Sequence, residues 1–93
     1  MYVLIRNDLS ESYKAVQAGH AVAEYLINFE TDWNNGYLIY LKVKNEDNLK
    51  KWIFKLELNN LKHSIFREPD IGNEITAISC VSNGKLFKKL RLL

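Results

Sequence analysis

Four polar residues in two short stretches hold most of the chemistry open to this chain: Gln17 and His20 early, Asp70 and Thr76 late. A histidine imidazole accepts a proton near neutral pH. A carboxylate such as Asp70 can orient water or take its proton. The Gln17 amide and the Thr76 and Ser79 hydroxyls add hydrogen-bonding groups. At about 100° per residue, Tyr13, Gln17, His20 and Glu24 fall within a helical wedge of roughly 60°. Small residues surround this wedge, so a neighbouring segment could approach it closely. Each residue also has a plainer reading. His20 could sit on a solvated helix face, Asp70 could make an Asx turn, and Thr76 could be a strand former. No GxSxG, phosphate loop, zinc spacing or GxGxxG occurs. His20 and His63 are too few and too far apart to argue for a metal.

The elements that must position these residues follow from hydropathy. Tyr2-Val3-Leu4-Ile5 is a continuous apolar run and predicts a central strand buried on both faces. A helical pattern runs from about Glu11 to Asn28, with Ala15, Gly19, Val22 and Leu26 as its expected core stripe and the Tyr13–His20 wedge pointing away from it. Tyr37 to Lys44 alternates as a strand. Asn45-Glu46-Asp47 opens a second helix whose buried stripe is Leu49, Trp52, Ile53 and Leu56. His63–Phe66 predicts a short strand, Glu68–Asn73 a loop, and Ile75–Val81 another strand. Leu86, Leu90 and Leu93 suit one face of a last short helix. The sum is β-α-β-α-β-β, a partly parallel sheet with helices packed on it.

Composition bounds the rest. Ninety-three residues allow one domain, 1–93, and exclude a multidomain enzyme or a TIM barrel. A chain this short buries a modest core, which leaves room for a homodimer. The net charge of +2 does not by itself announce a nucleic-acid binder. Its cations are clustered, however. Lys85, Lys88, Lys89 and Arg91, with Arg6, Lys14, Lys42 and Lys44, could attract phosphate. They suit a solvated helix about as well. Cys80 is the only cysteine, so no intrachain disulfide forms, and a reducing compartment fits. No stretch has the length of a membrane span or a secretory leader, which predicts a cytoplasmic protein with no membrane partner.

Several segments, in order, resemble one family. Val3-Leu4-Ile5-Arg6-Asn7-Asp8-Leu9 is similar to the V-V-R-x-D-L opening of the type 2 peptidyl-tRNA hydrolases, the archaeal and eukaryotic kind. Ala15-Val16-Gln17-Ala18-Gly19-His20-Ala21 resembles their A-A-Q-x-x-H-A helix signature. Asp70-Ile71-Gly72 resembles their D-A-G motif, Thr76-Ala77-Ile78 their T-x-L-A-I strand, and the leucine-rich end their L-x-L-L close. The resemblance spans nearly the whole chain. The doubly buried first strand and the two amphipathic helices predict a three-layer α/β/α domain with a mixed four-stranded sheet, and the resemblance implies the order 2-1-4-3 with one strand antiparallel. It implies hydrolysis of the ester between a peptide and the terminal ribose of tRNA, with no metal or organic cofactor. Gln17, His20, Asp70 and Thr76 would be catalytic and share one concave site. Arg6, Asp8, Lys14, Lys85 and Lys88 would bind the peptidyl-tRNA substrate. Tyr13 stands where the family has a lysine, and Glu74 where it tends to have a threonine. Those departures motivate the alternative of an inactive tRNA- or protein-binding module of the same fold. A third class is a small interaction protein docking through its basic, leucine-rich tail.

Overall fold

A computed structural model describes all 93 residues. Strand β1 (Tyr2–Arg6) leads through Ser10 into helix α1 (Glu11–Asn28). The Ser10 hydroxyl caps α1 by accepting the Tyr13 N–H. Strand β2 (Ile39–Val43) follows, then helix α2 (Glu46–Leu58), capped by the Asn45 side chain. Strand β3 (His63–Glu68) ends at Pro69, which opens a 3-10 turn over Pro69–Ile71. Gly72 closes that turn at φ 72°, a left-handed conformation that glycine adopts without a side-chain clash. Strand β4 (Glu74–Cys80), a 3-10 turn (Lys85–Phe87) and a two-residue strand β5 (Arg91–Leu92) complete the chain.

The sheet has five strands in the order β3-β4-β1-β2-β5. β1 and β2 are parallel, β4 runs antiparallel to β1 and β3, and β5 runs antiparallel to β2. The general α/β expectation holds. The four-strand count does not: β5 adds a fifth strand beyond β2, and two strands rather than one oppose β1. The expected terminal helix is absent, because the segment after Phe87 extends to pair with the free edge of β2, satisfying backbone groups that a short helix would leave open.

β1 is buried on both faces, as a central strand must be. Leu4 packs with Leu41, Val43, Leu49 and Leu56 on the α2 side. Val3 and Ile5 pack with Ala18, Ala21 and Tyr25 on the α1 side. Each outer layer is thus a single helix, and the 85–87 turn adds Phe87 to the α2 layer.

Helix α1 is rotated relative to the face expected from hydropathy. It buries Lys14, Gln17, Ala18, Ala21 and Tyr25, while Ala15, Gly19, Leu26 and Ile27 are exposed. Ala18 and Ala21 let the helix approach the sheet closely. The sheet beneath is polar at specific points: the Ser79 hydroxyl donates to the Ala21 carbonyl at 2.7 Å. A face that answers those groups wins over a more apolar face that leaves them unpaired. Ile27 remains 77% exposed as a result.

Candidate functional site

A buried chain of hydrogen bonds ties α1 to the far half of the molecule. Thr76 Oγ1 donates to Gln17 Oε1 at 2.6 Å, and Gln17 Nε2 donates to Glu68 Oε1 at 2.8 Å. A carboxylate only accepts, so Glu68 dictates which end of the Gln17 amide faces it and leaves the carbonyl for Thr76. The second Glu68 oxygen accepts the Asp70 backbone N–H at 3.3 Å, capping the Pro69–Ile71 turn. One carboxylate therefore holds both the helix and the loop that carries Asp70.

Thr76 reaches α1 because β4 is irregular there. Phe66 pairs with Ala77 and Arg67 with Ile75, so one step along β3 matches two along β4. Such a bulge re-aims a side chain. Ile75 packs in the α2-side core and Ala77 in the α1-side core. Thr76, the extra residue between them, turns to Gln17. The Ile75 N–H is taken by Glu46 Oε2 at 2.8 Å.

The charges in this cluster are settled. The Gln17 bond, and then the Asp70 N–H, hold the Glu68 carboxyl below the usual glutamate range against the cost of burial; His20 adds to the effect. Glu68 is an anion at neutral pH. The Tyr13 hydroxyl is buried with no hydrogen-bond partner. Burial, then the negative charges of Glu68 and Asp70, push its ionisation up, so the phenol keeps its proton. His20 lies flat on Phe66, with ring centroids 4.3 Å apart and planes 9° from parallel. Phe66 is the cross-strand partner of Ala77, next to Thr76.

Of the four catalytic candidates, Gln17 and Thr76 are in direct contact. Asp70 is joined to them through Glu68, and His20 flanks the same group on Phe66. His20 and Asp70 are exposed; Gln17 and Thr76 are fully buried. The expected concave site is not present, because the Gln17 side chain fills the gap between α1 and β4. Glu68 was missed in the sequence. An acid directly before Pro-Asp is a cap signal for a proline-led turn, and that signal was available.

The proposed substrate-binding residues separate. Arg6 is buried and bound bidentately to Asp8, with Nε and Nη2 each at 3.0 Å from its oxygens. Its Nη1 meets Glu74 at 2.7 Å and the Ile75 carbonyl at 3.3 Å. These bonds raise the Arg6 pKa and lower that of Asp8. Arg6 and Asp8 therefore lock the end of β1 to the start of β4, which corrects the expectation that Arg6 meets phosphate. Glu74, at the position of the family's threonine, is part of that lock. Lys14 is also buried, donating to Asn7 Oδ1 at 2.7 Å and Glu11 at 3.1 Å. Lys85 and Lys88 are exposed beside Phe87, which belongs to the α2 side, away from Gln17.

The surface has two clefts. One, of about 320 Å³, involves Asn59, Leu61 and Lys85. The other, of about 340 Å³, is bordered by Asn7, Lys42, Lys44, Lys89 and Arg91. No group of three or more His, Cys, Asp or Glu side chains is placed to hold a metal ion, and no helix is long and apolar enough to cross a membrane. Cys80 is buried, and burial pushes its thiol up to about 11, so it is a poor nucleophile.

No protein-family model matches the chain, and no curated protein matches its sequence.

Proposed function

We propose that the chain hydrolyses the ester linking a peptide to the terminal ribose of tRNA, acting in the cytoplasm on a peptidyl-tRNA. The observation that carries this reading is the Thr76–Gln17–Glu68 chain, which joins two motifs 59 residues apart that the resemblance marks together. Asp70 is the exposed carboxylate at the end of that chain. In the proposed reaction Asp70 takes a proton from water as the oxygen adds to the ester carbonyl. The tetrahedral centre then collapses, the bond to the ribose oxygen breaks, and the proton passes from Asp70 to that oxygen. The peptide leaves as a carboxylic acid and the tRNA with its hydroxyl restored. His20, exposed beside the cluster, is the second group able to move a proton at neutral pH. Gln17 and Thr76 are positioning residues: both are buried, and their polar atoms face each other and Glu68.

A second reading is a tRNA-binding module without hydrolysis. Lys14 favours it, because its ammonium is engaged by Asn7 and Glu11 rather than offered to a substrate. The deciding experiment is release of free tRNA from N-acetylated aminoacyl-tRNA by the wild type and by Asp70→Asn. That substitution keeps shape and removes the proton acceptor. Hydrolysis by the wild type and a loss of about a hundredfold in the variant support the enzyme. Tight binding with an intact ester supports the module.

A further inference from the structure

The 340 Å³ cleft is positive, and nothing in the protein neutralises it. Lys42, Lys44, Lys89 and Arg91 border it, no acidic side chain does, and none of the four makes a salt bridge. Lys42 and Arg91 are also direct cross-strand partners in the β2–β5 pair. Like charges directly opposite each other destabilise a sheet unless something lies between or over them. The backbone nonetheless holds them there: Leu93 N–H donates to the Tyr40 carbonyl, and Asn7 N–H to the Val43 carbonyl. The folded chain thus holds four cations together with no acidic partner, an arrangement that a bound anion would relieve.

The placement favours an extended anion over a small one. Lys42 lies on β2 and Lys44 one residue beyond its end at Val43, so the two follow the chain out of the strand along the same cleft. Lys42 neighbours Ile5, whose side chain packs beneath α1. Lys42 therefore lies on the α1 side of the sheet. Helix α1 covers β4, β3 and β1, and leaves that side of β2 beside it. Thr76 of the buried chain is on β4, two strands from β2, or about 10 Å across the sheet. A single polyanionic strand can lie over the cations and bring its end to the Asp70 side of α1.

We propose that this cleft binds consecutive phosphates of an RNA strand, through Lys42, Lys44, Lys89 and Arg91, with Asn7 at its inner end. The identification of the polyanion as RNA rests on the hydrolase reading; the anion chemistry rests on the unpaired cations.

Binding of fluorescein-labelled deacylated tRNA, followed by anisotropy across a salt series, tests it. Lys44 and Lys89 are exposed, so Lys44→Ala/Lys89→Ala leaves the fold intact. The expected result is a Kd raised about tenfold or more, and a salt slope reduced by about 1.4, for two lost phosphate contacts. Lys51→Ala/Lys62→Ala, which removes two exposed lysines elsewhere, should match the wild type. Inorganic phosphate at millimolar concentration should compete only weakly with the labelled tRNA. Unchanged binding in the cleft variant, equal losses in both double variants, or full competition by inorganic phosphate would each overturn the proposal. Ester hydrolysis is measured separately. A wild type that binds tRNA through the cleft but leaves the ester intact ends the hydrolase reading and keeps the cleft. A wild type that cleaves the ester with the cleft variant binding normally does the opposite.

Discussion

Gln17 is the residue on which the site depends, because its amide is the only link between Thr76 and Glu68. A side chain with both polar ends engaged and no exposure is held in one rotamer. Thr76→Val keeps its size and leaves the Gln17 carbonyl buried without a donor. The expected cost is about 1–3 kcal/mol in a urea titration. Thr76→Ser, which retains the hydroxyl, should recover most of that loss. If Val and Ser behave alike, the hydroxyl is not the contact that matters.

Glu68 adds a pH signature. Its folded-state pKa lies below the ordinary value of 4.5. The unfolded chain therefore binds more protons than the native one between the two values. Stability from this group is complete above about pH 4.5 and declines as pH falls toward the folded-state value. Glu68→Gln should be destabilised relative to wild type at pH 7. That difference should shrink as pH drops below about 4.5. Urea midpoints at pH 7 and pH 3 measure it, and a constant difference would mean that Glu68 is not held as an anion.

Helix α1 is the element that positions the site, and its entry is set by Ser10. The Ser10 hydroxyl accepts the Tyr13 N–H at 3.4 Å. Ser10→Ala should cost about 1 kcal/mol of global stability, the usual loss of such a cap. Glycine at the same position should cost less, and a Ser10→Ala variant as stable as the wild type would show that the hydroxyl contributes nothing to the cap. The extent of α1 was legible in the sequence, from the caps and the unbroken helical run. Its rotation was not. Hydropathy put Ala15, Gly19, Val22 and Leu26 inward, yet Gln17 and Lys14 are the buried positions. Periodicity measures apolarity, and here partners distant in the chain decide which face is satisfied. β1 was legible because a continuous apolar run admits few alternatives. The Thr76 bulge was not, since one extra residue in β4 leaves no trace in its alternation. β5 was hidden as well: Arg91 and Leu92 show no strand pattern and pair only because β2 offers an open edge.

At the scale of the whole molecule, chemistry and charge are divided across one sheet. The Gln17–Glu68 cluster and Asp70 sit over the β3–β4 half, and the four unpaired cations lie at the β2–β5 half. The resemblance put Gln17, His20, Asp70 and Thr76 in one site; the structure joins Gln17 to Thr76 directly and Asp70 to them through Glu68. The sequence misassigned Arg6, because nothing local announces Asp8 and Glu74 as its partners. The division gives a chain of net charge +2 a local group of four unpaired cations, set apart from the anionic Glu68 centre. The central claim is that Asp70, held by Glu68 and Gln17, activates water against an ester. Its most direct test is single-turnover release of free tRNA from N-acetylated aminoacyl-tRNA, with wild type and Asp70→Asn compared at equal binding saturation. The account predicts release by the wild type and a rate lower by about a hundredfold in the variant, with affinity unchanged. Saturated binding with no release by the wild type, or equal rates for the two proteins, would contradict it.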